Sequence, residues 1–317
     1  MKLMNVKNMS HEEWLEQRKK GIGGSDCGAI MSQNPWKSAV QLWLEKTGKI
    51  ESPDISGKLA VKLGNKLEQA VAELFEEETG LTVKRNNFVL AHNDYPFMIA
   101  NIDREGRDNE GKKFILECKT TGSYSGKEWE GDDIPLHYEL QVLHYLIVTG
   151  YDYGYIACLI GNHKFVIKKV ELDELIKNRI IEEETKFWQC VLNDEMPPVD
   201  SSEACTNILS EMYPVAKEES SIILTDDIDD LLEQRDSLKS QVKTLESQID
   251  YIENYLKNEL QDNESGETNN YRVTWKNVTS NRFDTKSFEK AYPELSAQFK
   301  KQSISRRFEV KKLKGDK

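Results

Sequence analysis

The chain has 317 residues, 38% of them hydrophobic, and a mean hydropathy of −0.65, which allows one large core or two smaller ones beneath a polar surface and excludes a membrane span of ~20 apolar residues. Its net charge of −12 is uneven: Tyr271–Lys317 holds 13 Lys and Arg against 5 Asp and Glu, a local +8 that leaves −20 on residues 1–270. The five cysteines (Cys27, Cys118, Cys158, Cys190, Cys205) are scattered without a C-x-x-C pair, which argues against zinc and iron–sulfur sites and for reduced thiols in an intracellular protein, and no secretory apolar segment follows Met1.

In chain order, Ser10 and Glu13 predict a capping box and a helix over 10–20. A glycine-rich loop, Gly21-Ile22-Gly23-Gly24-Ser25-Asp26, leads into helical pieces over 26–47 broken at Asn34-Pro35. A long amphipathic helix is expected over 58–79, stopped by Gly80, with Leu59, Leu63, Leu67, Ala70, Val71, Leu74 and Phe75 at the helical period. Glu68 lies beside that stripe, facing either solvent or a cleft. Strands are expected over 81–90, 97–102 and 113–119, then a loop over 121–134, a helix over 135–149 and strands over 153–160 and 164–170. A helix over 171–194 ends near Pro197-Pro198. Helices flanking one mixed central sheet make an α/β core.

Beyond it, a 201–222 linker precedes a different pattern. Leu224, Ile228, Leu231, Leu238, Val242, Leu245, Ile249, Ile252 and Leu256 follow alternating four- and three-residue steps, with Arg235 at one seam position. This is a coiled-coil helix over 223–262, pairing with another chain or lying along the chain's own core. Residues 263–317 then form a basic α+β segment: a strand over 271–278, a helix over 285–301 and a strand over 307–312.

The chemistry-bearing feature is Asp103, a polar turn, and Glu117-Cys118-Lys119 closing the run Phe114-Ile115-Leu116. A hairpin of 97–102 with 113–119 would bring both carboxylates to the end carrying Lys119, and alternation places Ile115, Glu117 and Lys119 on one face with Phe114, Leu116 and Cys118 on the other. Two carboxylates and an amine suit a divalent-metal nuclease. On its own the spacing also describes an exposed hairpin with a surface ion pair.

Four elements together resemble the phage exonuclease and recombinase family of lambda exonuclease and the YqaJ-type viral recombinases. They are Arg18-x(6)-Ser25 within the glycine loop; Glu68 in Leu63-Gly64-Asn65-Lys66-Leu67-Glu68; Asp103 with Glu117-x-Lys119; and Gln141-x-x-x-Tyr145. The resemblance spans roughly residues 10–200. It implies a restriction-endonuclease-like (PD-(D/E)XK) nuclease domain over 1–200. It also implies Mg²⁺-dependent 5′→3′ digestion of linear double-stranded DNA, with Mn²⁺ able to substitute. Asp103, Glu117, the Cys118 backbone carbonyl and Glu68 would hold one or two ions, and Lys119 would hold the nucleophilic water. Gln141 and Tyr145 would contact phosphate or a metal-bound water, and Arg18 and Ser25 would grip a 5′-phosphate. Asp94 is a stand-in for a further family acid, and Lys127 for a basic residue after the hairpin.

The implied partners are a single-strand annealing protein and further copies of the chain, as a trimeric ring. The setting implied is the cytoplasm of a bacterial host, with a phage or prophage origin. The rivals are an endonuclease on the same fold and a non-catalytic DNA-binding or assembly protein centred on the coiled coil.

Overall fold

The computed structural model describes residues 1–5, 9–52 and 54–313. The chain divides into two units, Met1–Tyr213 and Pro214–Lys317.

The first unit opens with β1 (Lys2–Asn5) and α1 (His11–Lys19). The Ser10 hydroxyl accepts the Glu13 N–H at 3.2 Å, and the Glu13 carboxylate accepts the Ser10 N–H at 2.8 Å, closing the capping box. α2 (Gly24–Ile30) and α3 (Ala39–Lys46) follow, then α4 (Leu59–Thr79), which stops at Gly80 because the chain there turns left-handed, φ 69°. Four strands come next: β2 (Val83–Arg85), β3 (Phe88–Ala91), β4 (Ile99–Ala100) and β5 (Arg104–Arg107). After β6 (Lys113–Thr121) a 3₁₀ turn at Ser125–Trp129 leads to α5 (Leu136–Thr149), β7 (Tyr153–Ile160), β8 (Lys164–Val170), α6 (Glu174–Asn193) and α7 (Glu203–Met212).

The central sheet has the order β2-β5-β6-β7-β8. Only β6 and β7 run parallel in it, joined by α5 as the crossover such a pair requires. Alternation along β6 feeds two cores. Phe114 and Leu116 pack with Val71, Ala72 and Phe75 of α4, while Ile115 packs with Val142 and Leu146 of α5. The sheet therefore lies between α4 and α5. Every residue of α5 from Leu140 to Val148 is buried. A second small sheet, β1-β3-β4, flanks the core, and α3, α6 and α7 share a further cluster through Val40, Leu42, Phe187, Cys205 and Ile208.

Several expectations are corrected. The hairpin partner of β6 is β5, in register Arg104 with Leu116, and not residues 97–102. Ile99 and Ala100 pair instead with β3 in the small sheet, so Asp103 stands where the chain passes between sheets. β5 escapes a hydrophobicity reading because ion pairs stand where apolar alternation was sought: Arg104 is buried against Glu68, and Glu105 meets Lys84 at 3.2 Å. The 81–90 run is two strands in different sheets, split at Asn86-Asn87. Of the α4 stripe, Val71 and Phe75 are buried, together with Ala72 outside it, whereas Leu59 and Leu63 are exposed. The expected 201–222 linker contains α7, capped by Ser202 and anchored by Ala204, Cys205 and Ile208. No helix among the described residues is long and apolar enough to cross a membrane.

In the second unit, α8 (Asp227–Leu260) precedes the antiparallel pair β9 (Ser265–Glu267) and β10 (Arg272–Thr274). The 271–278 strand is thus shortened, since only three of its residues find a ladder partner. The 285–301 helix is two, α9 (Thr285–Ala291) and α10 (Pro293–Phe299), because Pro293 restarts the helix at its first turn. Residues 307–312 form no strand, having no neighbouring strand among the described residues to supply hydrogen bonds.

A buried pair locks the first unit. His144 Nε2 faces the Ile99 carbonyl at 2.9 Å and Nδ1 faces Glu184 Oε1 at 2.7 Å, tying α5 to β4 and α6. Burial alone would lower the His144 pKa, but Glu184 outweighs it and raises it above the usual histidine value. A raised folded pKa stabilises fully below the unfolded value, about 6.5, and that stability is lost as pH rises through the folded value. The stability difference between wild type and His144→Asn, measured by urea unfolding from pH 5.5 to 9, is expected to be largest at the acid end and to shrink with rising pH.

Candidate active site

Asp103 and the end of β6 build one centre. The Cys118 N–H donates to Asp103 Oδ2 at 2.9 Å, holding that carboxylate beside Glu117. Glu117 and Lys119 lie on the α5 side of β6, where Gln141 meets both. Gln141 Nε2 donates to Glu117 Oε1 at 2.6 Å and to the Tyr145 hydroxyl at 3.1 Å, while Gln141 Oε1 accepts from Lys119 Nζ at 3.0 Å. Lys119 Nζ also pairs with Glu117 Oε1 at 2.8 Å and sits 4.7 Å from the centre of the Tyr138 ring. The second oxygen, Glu117 Oε2, is buried and has no hydrogen-bond partner.

The electrostatics follow from two carboxylates sharing one ammonium. Burial, and then the charge of Glu117, push the Asp103 pKa up to about 8, against the pull of Lys119 and the Cys118 N–H. Burial would lower the Lys119 pKa, but Glu117 and Asp103 outweigh it and raise it. Lys119 is therefore an ammonium donor near neutral pH and not a base.

Glu68 reaches the rim of the centre from α4. It is ion-paired to Arg104, and to Arg85 at 3.2 Å, and its charge contributes to the raised Asp103 pKa. Arg104 in turn donates to the Asp103 carbonyl at 2.9 Å and to Gln69 Oε1 at 3.1 Å. Glu68 is thus brought near Asp103 through a buried arginine that the sequence reading did not single out.

A second cluster lies at the start of α2. Arg18 donates to Ser25 Oγ at 2.8 Å and to Asp26 Oδ1 at 2.9 Å. Buried Lys46 donates to Asp26 Oδ2 at 2.7 Å and to the carbonyls of Arg18 and Gly21 at 2.6 and 2.7 Å. Burial would raise the Asp26 pKa, but Lys46 and Arg18 more than offset it and hold the carboxyl well below its usual range. Two cations against one anion leave this cluster net positive. Asp26 adjoined the quoted motif, whereas Lys46 carried no signal in its apolar helix.

Gly24 joins the two clusters. A Cβ there would overlap the Tyr145 ring and lie 2.9 Å from the Gln141 carbonyl, so only glycine lets α2 approach α5 this closely. Asp94 is exposed in the turn before β4, its N–H on His92 Nδ1 at 3.1 Å, and Lys127 is exposed in the 3₁₀ turn, 5.8 Å from the Tyr124 ring centre.

The family described as YqaJ-like viral recombinase domain matches residues 13–152. The protein YqaJ of Bacillus subtilis (strain 168), described as uncharacterized, is 40% identical over 308 residues, which cover 96% of this chain and 95% of the relative. The chain belongs to the YqaJ-like viral recombinase family. Among solved structures it is similar to the alkaline exonuclease LHK-Exo from Laribacter hongkongensis, with a TM-score of 0.50 at 15% identity, covering 65% of this chain and 100% of that one. The complex of LHK-Exo with dAMP is equally similar, at TM-score 0.50. The likeness is one of fold: the mixed sheet between α4 and α5 is the PD-(D/E)XK-type core.

Donor chemistry at the Asp103 centre fits a divalent cation. A buried and a half-buried carboxylate, one oxygen of which has no partner, face too little positive charge, and hard oxygen donors suit Mg²⁺. The raised Asp103 pKa makes the ionised centre a cost to folding that grows as pH rises from the unfolded value towards the folded one. Asp103→Asn is therefore expected to raise the metal-free melting temperature by a few degrees at pH 9, with the gain disappearing near pH 4. Calorimetry in EDTA checks it.

Proposed function

We propose that this viral recombinase-type deoxyribonuclease is a Mg²⁺-dependent exonuclease that digests linear duplex DNA from its 5′ ends, with Mn²⁺ able to replace Mg²⁺. The observation that carries the reading is the pairing of an acidic centre with a positive pocket across Gly24. One side has carboxylates and an ammonium for phosphodiester hydrolysis, and the other has Arg18 and Ser25 for a terminal phosphate.

Asp103, Glu117 and the Cys118 carbonyl would hold the cation, with Glu68 as a further ligand directly or through water. When bound, the cation stabilises charge on the scissile phosphate and lowers the pKa of attacking water. Lys119 has three N–H donors, two of them directed at Glu117 and Gln141. The third is left to orient the nucleophilic water, and the ammonium favours its hydroxide form. Gln141 acts on both, fixing the Glu117 carboxylate with its N–H and Lys119 with its carbonyl. Tyr145, anchored to Gln141 and packed on Gly24, holds the distance between pocket and centre.

At the pocket, Arg18 offers a planar donor fork to a phosphate dianion. The Ser25 hydroxyl and the Gly24 and Ser25 N–H groups at the start of α2 add donors, while Asp26 and Lys46 keep the guanidinium in place. Capture of a 5′-phosphate would set the cleavage point at the strand end and leave a 3′ single strand. That product suits a single-strand annealing protein as partner and single-strand annealing recombination as the process, in the cytoplasm of a bacterial host carrying the phage or prophage. The chain would act as a homo-oligomer.

Two substitutions test this. Lys119→Ala is expected to reduce cleavage of linear duplex by about 10²-fold or more while DNA binding, followed by fluorescence anisotropy, is kept. Arg18→Ala is expected to remove most of the rate advantage of 5′-phosphorylated over 5′-hydroxyl ends. Unchanged cleavage by Lys119→Ala would overturn the mechanism.

A further inference from the structure

Trp36 keeps 66% of its surface exposed, so the first unit covers at most about a third of it, wherever the second unit lies. A large aromatic side chain left in water forgoes the burial that usually stabilises it. The chain nevertheless holds this one in a defined turn. Asn34 Oδ1 accepts the N–H groups of Trp36 and Lys37 at 2.9 and 3.1 Å, and Pro35 fixes the backbone between Asn34 and Trp36. Lys37 Nζ donates to the buried Glu45 carboxylate at 2.6 Å, and Ser38 caps α3 by accepting the Gln41 N–H at 3.2 Å. The indole meets the His137 ring edge-on, with 4.9 Å between centres and 86° between planes. His137 lies one turn before Gln141 and two before Tyr145 on one face of α5. α2 follows the same line: a Cβ at Gly24 would strike Tyr145 and the Gln141 carbonyl, and one at Gly28 would lie 3.1 Å from His137 Cβ. That face of α5 therefore runs from Tyr145, close enough to the pocket to feel the Arg18 charge, through Gln141 at the acidic centre, to His137 and Trp36. Burial, and then the charge of Lys119, lower the His137 pKa to about 4, so this ring is neutral and stands within the field of the centre's ammonium. Its Nε2 is buried without a hydrogen-bond partner, a cost met at few places in a fold.

We propose that Trp36, backed by His137, is a stacking platform for an unpaired base of the attacked strand at the DNA end. The inference rests on the reading of this face as the one that takes a 5′-phosphorylated end. A strand held by its terminal phosphate at Arg18 and by its scissile phosphate beside Gln141 lies along the face of α5 that ends at Trp36. Every base has a π-face, so an indole accepts any of the four without reading sequence. That suits an enzyme that works inward from whatever end it meets. A base stacked on protein is also withdrawn from its complement, so the platform would hold the attacked strand apart from the strand that is left behind. The turn at Asn34-Pro35 keeps the indole in position, so little freedom is lost when a base stacks on it.

The test uses the full chain with Ca²⁺ in place of Mg²⁺, so that bound DNA is read without cleavage. A 5′-phosphorylated duplex carries 5-iodouracil in place of thymine at the first, second or third nucleotide of the 5′ strand. Irradiation should cross-link at least one of these to Trp36, located by mass spectrometry of the digested protein. Trp36→Ala should weaken binding of the duplex, followed by fluorescence anisotropy, by roughly 10-fold, and Trp36→Phe should restore most of the loss. Both variants should keep the wild-type melting temperature, since the side chain they replace is exposed. Absence of any cross-link at Trp36, or an unchanged dissociation constant in Trp36→Ala, would overturn the proposal even where wild type digests linear DNA in Mg²⁺. Cross-linking at Trp36 by a wild type that digests nothing would uphold the platform and overturn the exonuclease reading instead.

Discussion

Crowding of two carboxylates, Glu117 buried and Asp103 half-buried, beside a single ammonium is the constraint on which the first unit's architecture turns. Water would screen Asp103 and Glu117 from each other, but Glu117 is buried against α5 and Asp103 is half-buried, so screening is weak. The charge is therefore distributed by hydrogen bonds: the Cys118 N–H on Asp103, and Gln141 with Lys119 on one oxygen of Glu117. One carboxylate oxygen remains without a partner, and the Asp103 pKa stands at about 8. A folded protein keeps such an arrangement where a ligand supplies the missing positive charge.

The surrounding elements can be read as supports for that centre. α4 supplies Glu68 and, through Arg104, a clamp on the Asp103 backbone. α5 supplies Gln141 and Tyr145 on successive turns of a helix buried along most of its length. α2 is drawn against α5 by the lack of a side chain at Gly24, which sets the Arg18 pocket at a fixed separation from the acids. His144 and Glu184 tie α5 to β4, four residues before Asp103 in the chain, so the same buried helix holds both flanks of the centre.

Much of this was legible from local rules. The capping box at Ser10, the left-handed stop at Gly80 and the two faces of β6 are each set by neighbouring residues. The candidate residues Glu117, Lys119, Gln141 and Tyr145 fall together because a strand's period of two and a helix's turn of four placed them on facing surfaces, whereas Asp103 joins them from the passage between sheets, held by the Cys118 N–H. What escaped depends on partners far along the chain. β5 is polar because Arg104 and Glu105 are neutralised by α4 and β2, which no alternation pattern records. Lys46 is buried among apolar residues only because Asp26 waits 20 positions upstream. α7 looked like linker since its three buried residues fill a gap left by α3 and α6. Residues 307–312 have strand-like composition but no neighbour among the described residues to pair with.

The central claim is that the acidic centre and the positive pocket act together on a DNA end. The most direct measurement is digestion of linear 5′-phosphorylated duplex beside covalently closed circular duplex, each in Mg²⁺ and in EDTA. The account predicts loss of the linear DNA in Mg²⁺ alone, with accumulation of 3′ single strand and an intact circle. Cutting of the circle, or digestion that persists in EDTA, would contradict it.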